Sequence, residues 1–400
     1  MEGFGKPLGH RICPQTTQVY KYQKNMKASY PTYLLLFSFA GYLLGHPGHG
    51  RLVPGERTWK DPSGKFSVQA TFQKLDNGKV FLRKEDGTVL AVTLSQLSED
   101  DRVWISQTTP PVTAPFQKFA DKVKARVDKD YLYVESDGMP AHPMMVGITA
   151  WQQQVPIPQP YNGDNSWRIP RHPVPAKSPM SAKTNFFRGA IALAVNGVPI
   201  FNPIKNNGVT DTFLAGELDK WGGHCGRADD YHYHIAPVHL EQVVGVGSPI
   251  AFALDGYPIY GFQHGGEPLD SLNGHKDSQG NYHYHATKAY PYLNGGFYGH
   301  VDEENGAVSP QPRGRPARPH LPPLRGAKIT GFSRSAPRAF KVEYEQNGAK
   351  GSVAYNIHSD GKVTFNFTDR NGTRTETHTP RQGRDKPGGR KPPKGKRPKE

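Results

Sequence analysis

The chain repeats one pattern twice between residues 190 and 285. Residues 191–202 (I-A-L-A-V-N-G-V-P-I-F-N) match residues 250–261 (I-A-F-A-L-D-G-Y-P-I-Y-G) position for position in residue type. Further on, residues 219–234 (D-K-W-G-G-H-C-G-R-A-D-D-Y-H-Y-H) align without gaps to residues 270–285 (D-S-L-N-G-H-K-D-S-Q-G-N-Y-H-Y-H). The loop between the two motifs is longer in the first copy. This order predicts one structural unit, duplicated as 190–234 and 249–285 and related by a pseudo-twofold axis.

Each copy opens with an apolar run that enters an Asn-Gly or Asp-Gly turn, which is typical of a β-hairpin. The chain also contains 44 glycines, 37 prolines and only 35% hydrophobic residues, which favours short strands joined by many turns. We therefore predict a mainly β protein. A central, duplicated β-rich domain over residues 130–304 would be flanked by a small N-terminal β-barrel and a C-terminal β-meander.

The repeat places three histidines at the same positions in both copies. In a strand, side chains at positions i and i+2 face the same way, so the two histidines of each Tyr-His-Tyr-His segment project from one face and the tyrosines from the other. The preceding Gly-His pair supplies a third histidine. Three neutral imidazoles with an open coordination position suit Zn²⁺ or Cu²⁺. The predicted metal ligands are His224, His232 and His234 in the first copy, and His275, His283 and His285 in the second.

The sequence leaves two alternatives open for these histidines. They could form two separate sites, or one shared or dinuclear site if the symmetry axis runs between the copies. They could also hold no metal and form a hydrogen-bonded tyrosine–histidine ladder that the duplication preserved. A repeat of all three histidines at the same spacing favours metal.

Other residues near the motifs carry weaker signals. Cys225 follows His224 and could be a soft ligand, but Lys276 occupies the matching position in the second copy, so a small buried residue is favoured. Three carboxylates either orient imidazoles or lie in turns, and the turn is favoured for each: Asp229, Asp230 and Asp255. Six further histidines are not predicted as ligands: His46, His49, His142, His172, His264 and His300.

The paired Y-H-Y-H segments with G-H ahead of them, together with L-D-G-Y-P-I-Y-G, resemble the bacterial YHYH domain family. The resemblance extends over roughly residues 130–302. It implies an exported protein and supplies no mechanism, so the metal prediction depends on the residues themselves.

The N-terminus favours export as well. An apolar run over residues 33–44 follows Met26 and Lys27, and it is too short for a comfortable membrane span but suits a signal peptide over residues 26–45. Residues 1–25 would then be a mis-assigned extension, and a retained anchor is the alternative. We predict a periplasmic, envelope or extracellular location. With only two cysteines, a disulfide framework is excluded.

Residues 51–106 form a separate pattern. Apolar and polar residues alternate around Asp-Asn-Gly and Glu-Asp-Gly turns, which predicts a small antiparallel barrel closed by a helical turn at residues 98–105. The segments R-T-W-x-D-x-x-G-K-F, K-V-x-L-R-K-E-D-G and L-S-x-x-D-R resemble the Sla homology domain one. That resemblance implies either a module that docks an envelope protein or peptide, or a spacer.

The remaining segments are predicted from composition. Residues 107–129 and the Pro/Arg-rich residues 305–326 are predicted linkers, residues 327–379 a four-stranded meander, and residues 380–400 a disordered basic tail. The last twenty residues hold nine Lys/Arg against two acids, so +7 of the net charge of +15 lies there. Such a tail is either only solubilising or contacts an acidic polymer or a membrane surface. Because the charge is so localised, nucleic acid is not the favoured partner.

Three functions follow from these patterns. The first is a copper- or zinc-binding protein of the cell envelope. The second is a metal-dependent hydrolase or oxidoreductase acting on envelope polymers, although no H-E-x-x-H, G-x-S-x-G or clear general base assigns catalytic residues. The third is a structural or adhesive surface protein without metal, which would use aromatic faces, although core packing in the β-sheets is at least as favoured for these residues: Trp151, Trp167, Tyr257, Tyr260, Tyr290 and Tyr292.

Overall fold

The structure, a computed structural model, describes residues 57–76, 78–108, 112–277 and 280–380. It confirms a mainly β protein with a duplicated central domain, a small N-terminal β domain and a C-terminal meander. The predicted signal peptide, the extension before it, His46, His49 and residues 381–400 of the basic tail lie outside the described residues. Within the described part, no helix has the length and apolar character needed to cross a membrane.

The N-terminal module is an open sheet and not the closed barrel that the alternation predicted. Its four strands pair antiparallel in chain order, so the first and the last strand remain at the two edges of the sheet. The expected helical turn is present and packs Leu97 and Ile105 against Trp59 and Phe72. The elements are β1 (Arg57–Lys60), β2 (Ser67–Asp76), β3 (Lys79–Arg83), β4 (Val89–Thr93), a 3-10 turn (Leu94–Gln96) and α1 (Glu99–Thr108).

Most of the predicted linker over residues 107–129 is an ordered part of the central domain. It forms α2 (Ala114–Gln117) and β5 (Lys124–Val127), and β5 is the first strand of a three-stranded sheet with β6 (Tyr131–Glu135) and β7 (Trp167–Pro170). Phe116 is fully buried and stacks on Phe252 with 5.6 Å between ring centroids. The linker prediction was therefore wrong, because burial of Phe116 outweighs the loop-like composition around it. The next strand along the chain is β8 (Pro175–Ser181).

An eight-stranded sheet forms the centre of the domain and displays the duplication. The elements are β9 (Ala190–Ala194), β10 (Pro199–Phe201), β11 (Gly223–Cys225), β12 (Tyr231–Tyr233), α3 (Glu241–Val244), β13 (Ala251–Ala253), β14 (Pro258–Phe262), β15 (Gly274–Lys276) and β16 (Tyr282–Ala286). The strand order is β11-β12-β10-β9-β13-β14-β16-β15, so each copy supplies one half and the pseudo-twofold axis passes between β9 and β13. β9 and β13 are buried along their whole length, which explains their unbroken apolar sequences.

Residues 305–326, which were predicted to be a Pro/Arg-rich linker, instead pack against the central domain. After β17 (Gly296–Gly299), which pairs with β8, the chain forms a hairpin of β18 (Asp302–Glu304) and β19 (Ala307–Ser309). The Gln311 side chain then accepts a hydrogen bond from the Ala190 backbone N–H at 2.8 Å. Arg318 is buried against Asp229. A solvated spacer would form none of these contacts, so that prediction was wrong.

The C-terminal meander has five strands where the sequence predicted four. They pair in chain order, and the additional strand is the first. The meander packs on the central domain through Trp151, whose ring lies 5.2 Å from that of Tyr344, and through a hydrogen bond from the Tyr355 hydroxyl to the Pro156 carbonyl at 2.5 Å. The strands are β20 (Ala327–Ala336), β21 (Ala339–Gln346), β22 (Ala349–Ile357), β23 (Val363–Asp369) and β24 (Gly372–His378).

Candidate metal centre

Each predicted histidine set is assembled by one short hairpin at an edge of the eight-stranded sheet. In the first copy, β11 pairs antiparallel with β12, which places His224 directly opposite His232. In the second copy, β15 and β16 place His275 opposite His283 in the same register. The last histidine of each motif lies two residues further along and faces the same side. The structure therefore brings all six predicted residues together, in two groups of three.

In the first triad the Nε2 atoms converge. His234 Nε2 lies 3.0 Å from His224 Nε2 and 3.1 Å from His232 Nε2. We call His224, His232 and His234 site 1.

Backbone carbonyls hold the other ring nitrogens of site 1. His234 Nδ1 lies 2.7 Å from the Asn202 oxygen and His232 Nδ1 lies 3.0 Å from the Asp230 oxygen. A carbonyl can only accept, so Nδ1 of His232 and Nδ1 of His234 carry the proton, and their Nε2 lone pairs point to the common centre. This arrangement is usual for histidines that bind metal.

The second triad repeats this geometry. His275 Nε2 lies 3.0 Å from His283 Nε2 and 3.2 Å from His285 Nε2. His285 Nδ1 lies 3.0 Å from the Gly261 carbonyl oxygen, and Gly261 is the repeat counterpart of Asn202. We call His275, His283 and His285 site 2.

The spacing of the nitrogens fits one metal ion per site. Zn–N bonds of 2.0–2.1 Å in a tetrahedral site separate two ligand nitrogens by about 3.4 Å. The observed separations of 3.0 to 3.2 Å are a few tenths of an ångström shorter. A small outward movement of the rings would therefore admit an ion.

Two rings of site 1, those of His224 and His234, are held in the neutral form that metal binding requires. Burial lowers the pKa of His224 and of His234 well below the usual value, and the neighbouring histidines lower it further. Neutral imidazole is the ligand form, so at neutral pH no proton has to be displaced from an imidazolium.

The two sites are separate, which decides between the alternatives that the sequence left open. β12 and β16 are five strand spacings apart in the sheet order. At about 4.8 Å per spacing, the triads lie on the order of 24 Å apart along the sheet. One shared dinuclear site is therefore excluded for this arrangement.

The tyrosines of the motifs face the opposite side and anchor the hairpins. The Tyr231 hydroxyl donates to Asp219 and the Tyr282 hydroxyl to Asp270, each at 2.8 Å. These aspartates open the two aligned motifs, so the repeated Asp is explained by a tyrosine hydrogen bond. The tyrosines bond away from the imidazoles, which contradicts a tyrosine–histidine ladder.

The second tyrosine of each motif bonds to the turn of the preceding hairpin. Asn196 donates to the Tyr233 oxygen at 3.0 Å, and the Tyr284 hydroxyl donates to Asp255 at 2.5 Å. Asp255 is buried, and burial raises its pKa to about 6. It is a turn residue that holds a tyrosine, as the sequence favoured, and not a partner of an imidazole.

The other residues near site 1 that could have been ligands or partners of an imidazole are Cys225, Asp229 and Asp230. Cys225 is buried, and it alternates with His224 along β11, so the thiol faces away from the triad. Asp229 pairs with Arg318. Asp230 is the one carboxylate of the three beside a triad, with an oxygen 3.6 Å from His232 Nδ1.

The other eight histidines of the described residues lie outside the triads, including His142, His172, His264 and His300. His142 stacks on Trp221 at 4.6 Å and its Nε2 lies 2.8 Å from the Tyr233 hydroxyl. His172 contacts the Lys129 carbonyl, and His300 lies 3.5 Å from Asp302. His264 lies close enough to Glu241 to affect the pKa of that carboxyl group.

Sequence reasoning missed the aromatic residue that flanks each triad. Phe201 stacks on His232 with ring centroids 3.9 Å apart, and its repeat counterpart Tyr260 lies 5.3 Å from His283. The signal was present, because both residues follow the Pro-Ile pair of the aligned segments. The aromatic faces proposed for an adhesive role are largely internal: Trp151, Trp167, Tyr257 and Tyr292 are each at most 9% exposed.

Comparison with known proteins supports the two resemblances. The family model for "SLA1 homology domain 1, SHD1" matches residues 54–111, and the model for "YHYH protein" matches residues 166–266. The second match includes site 1 and ends before site 2. Residues of the first module are similar to the actin cytoskeleton-regulatory complex protein SLA1 of Vanderwaltozyma polyspora, with 43% identity over 53 residues, which is 13% of this chain and 4% of that protein. No solved structure matches the chain. The protein thus carries an SLA1 homology domain 1 followed by a YHYH domain.

Proposed function

We propose that this is an exported metal-binding protein whose YHYH domain holds two copper or zinc ions, one at site 1 and one at site 2. The observation that carries the proposal is the repeated convergence of three Nε2 atoms within 3.0 to 3.2 Å of a neighbour. Three lone pairs aimed at one point repel each other unless a cation lies between them. The backbone carbonyls that fix the opposite ring nitrogens support the same conclusion.

The test is metal content. Protein purified without a histidine tag and loaded with Cu²⁺ or Zn²⁺ is expected to retain two ions per chain by elemental analysis. His234→Ala and His275→Ala should each retain one, because each removes the nitrogen that bridges the other two of its triad. His300→Ala is the matched control, since that histidine is exposed and outside both triads. No retained metal, or equal loss in the control, would falsify the proposal.

The location and the docking role form the second part of the proposal. An export signal over residues 26–45 would place the metal sites outside the cytoplasm, and the SLA1 homology domain would dock a protein or peptide partner there. Mass spectrometry of the mature N-terminus in cell fractions tests the export. A chain that starts before residue 26 in the cytoplasmic fraction contradicts it.

A further inference from the structure

Solvent reaches the two triads to different extents. In site 1, His224 retains solvent-accessible surface although its two partners are buried. In site 2, all three histidines are buried, and His275, His283 and His285 are 7%, 3% and 0% exposed.

An open cavity of about 470 Å³ lies next to residues that contact His232, although no histidine of site 1 lines it. Its lining includes Phe201 and Asp230. Phe201 stacks on His232, and the Asp230 carbonyl lies 3.0 Å from His232 Nδ1. Solvent in this cavity is therefore one residue away from a histidine of site 1.

A lysine flanks site 1 as well. Lys205 lies in the loop that is longer in the first copy, and its Nζ pairs with Glu217 Oε1 at 2.8 Å. The positive charge of Lys205 lowers the pKa of both His224 and His234. The Glu217 backbone at the same time interacts with the His224 ring. A cation beside an accessible metal favours an anionic ligand on that metal.

We propose that site 1 is the exchangeable site of the protein, whose metal accepts a small exogenous anion beside Lys205, while site 2 holds a buried structural ion. The inference rests on the proposed function, because both triads must first bind metal. It assigns the two copies different tasks although their histidines match.

Metal exchange tests the first half. Copper-loaded protein that retains two ions is mixed with excess chelator, and the release of copper is followed in time. Half of the copper should leave at least about 10-fold faster than the rest, because release from site 2 requires local opening of the fold. His224→Ala should remove the fast phase and His275→Ala the slow phase. A single phase, or the opposite assignment, overturns the inference, whereas a protein that never retains copper contradicts the proposed function instead.

Azide titration tests the second half. Azide bound to Cu²⁺ gives a ligand-to-metal charge-transfer band, and the band should appear in wild type and be absent from His224→Ala. Lys205→Met should weaken azide binding by about 10-fold, since it removes a nearby positive charge. Glu217→Gln should strengthen it, because the remaining lysine is no longer neutralised.

The opposite effects expected of Lys205→Met and Glu217→Gln on azide affinity distinguish an electrostatic role of this ion pair from a structural one. If Lys205 and Glu217 only stabilised the loop, both substitutions would weaken azide binding. Lys276→Met is the matched control, because Lys276 follows His275 in site 2, and its azide affinity should equal that of wild type. Equal weakening by Lys205→Met and Glu217→Gln, or an effect of Lys276→Met, overturns the proposal.

Discussion

His142 is part of a neutral hydrogen-bond chain on the tyrosine side of site 1. Asn196 donates to the Tyr233 oxygen, so the Tyr233 hydroxyl proton donates to His142 Nε2 at 2.8 Å. His142 Nδ1 then carries the proton and donates to the Pro143 carbonyl at 3.1 Å. Burial lowers the pKa of His142 from 6.5 to about 4. The fold therefore requires His142 to be uncharged.

This pKa predicts a loss of stability in mild acid. The unfolded chain binds a proton at His142 near pH 6.5 and the folded protein only near pH 4, so the stabilisation is complete above pH 6.5 and is lost as the pH falls toward 4. The free energy of unfolding of wild type relative to His142→Gln should fall by about 2 kcal/mol over that range, allowing for partial exposure. Urea unfolding at a series of pH values measures it. A difference that does not vary with pH contradicts the prediction.

The two copies offer a matched pair of tyrosine substitutions. Tyr284→Phe removes a hydrogen bond to the buried Asp255 carboxylate and one accepted from the Tyr298 backbone N–H. Tyr233→Phe removes contacts to the neutral Asn196 and His142. We expect losses of about 2–3 kcal/mol for Tyr284→Phe and about 1 kcal/mol for Tyr233→Phe, because hydrogen bonds to charged groups are stronger. Chemical denaturation at neutral pH gives both values. Equal losses would show that the charge of Asp255 does not contribute.

Each proposed metal ion would link an edge strand of the eight-stranded sheet to the neighbouring strand. β11 and β15 have three residues each and lie at the two ends of the sheet, where only one neighbour holds them. His224 and His275 lie on these edge strands, and the other histidines of each triad lie on or just beyond the neighbouring strand. A bound ion would add a link across each short ladder.

Removing the metal should therefore weaken the pairing of the edge strands β11 and β15 before that of the central strands. Hydrogen exchange at residues 223–225 and 274–276 is expected to rise by about 10-fold or more when a chelator is added. The central strand β9 should keep its protection, because it is paired on both sides. A uniform rise over the whole sheet, or no rise at the edges, is inconsistent with this role.

The repeat was sufficient to predict the duplicated β unit and the grouping of the six histidines. Strand alternation fixes the face of each side chain, and the Gly-His and Tyr-His-Tyr-His segments are close enough in sequence to pair as hairpins. The separation of the sites could not be predicted, because it depends on β9 pairing with β13, and the paired residues are 57 to 61 positions apart in the chain. The sequence also could not predict that residues 112–127 and 310–326 are ordered, because their composition is that of linkers. They are held by individual long-range contacts such as Phe116 on Phe252 and Arg318 on Asp229.

At the scale of the molecule, the described chain has two apolar cores. One belongs to the SLA1 homology domain alone, and the other is continuous through the YHYH domain and the meander. Arg318 joins three parts of the larger unit. It extends from the proline-rich segment, pairs with Asp229 beside the Tyr-His-Tyr-His motif, and lies 4.6 Å from the centre of the Phe365 ring in the meander.

Breaking this contact should weaken the YHYH domain and the meander together. Asp229 and Arg318 are both buried, with side chains 4% exposed, so Arg318→Met leaves a buried carboxylate without its cation at a cost of about 3–5 kcal/mol. Calorimetry should show two transitions, and the larger should shift down by on the order of 10 °C. The smaller transition, from the SLA1 homology domain, should not move.

Two further variants separate charge from packing in that experiment. Arg318→Met combined with Asp229→Asn removes both charges and should recover much of the lost stability, because no unpaired ion remains in the interior. Arg315→Met is the matched control, since Arg315 is exposed in the same segment, and it should melt like wild type. If Arg318→Met splits the larger transition into two, the meander and the YHYH domain unfold independently and the continuous core does not act as one cooperative unit.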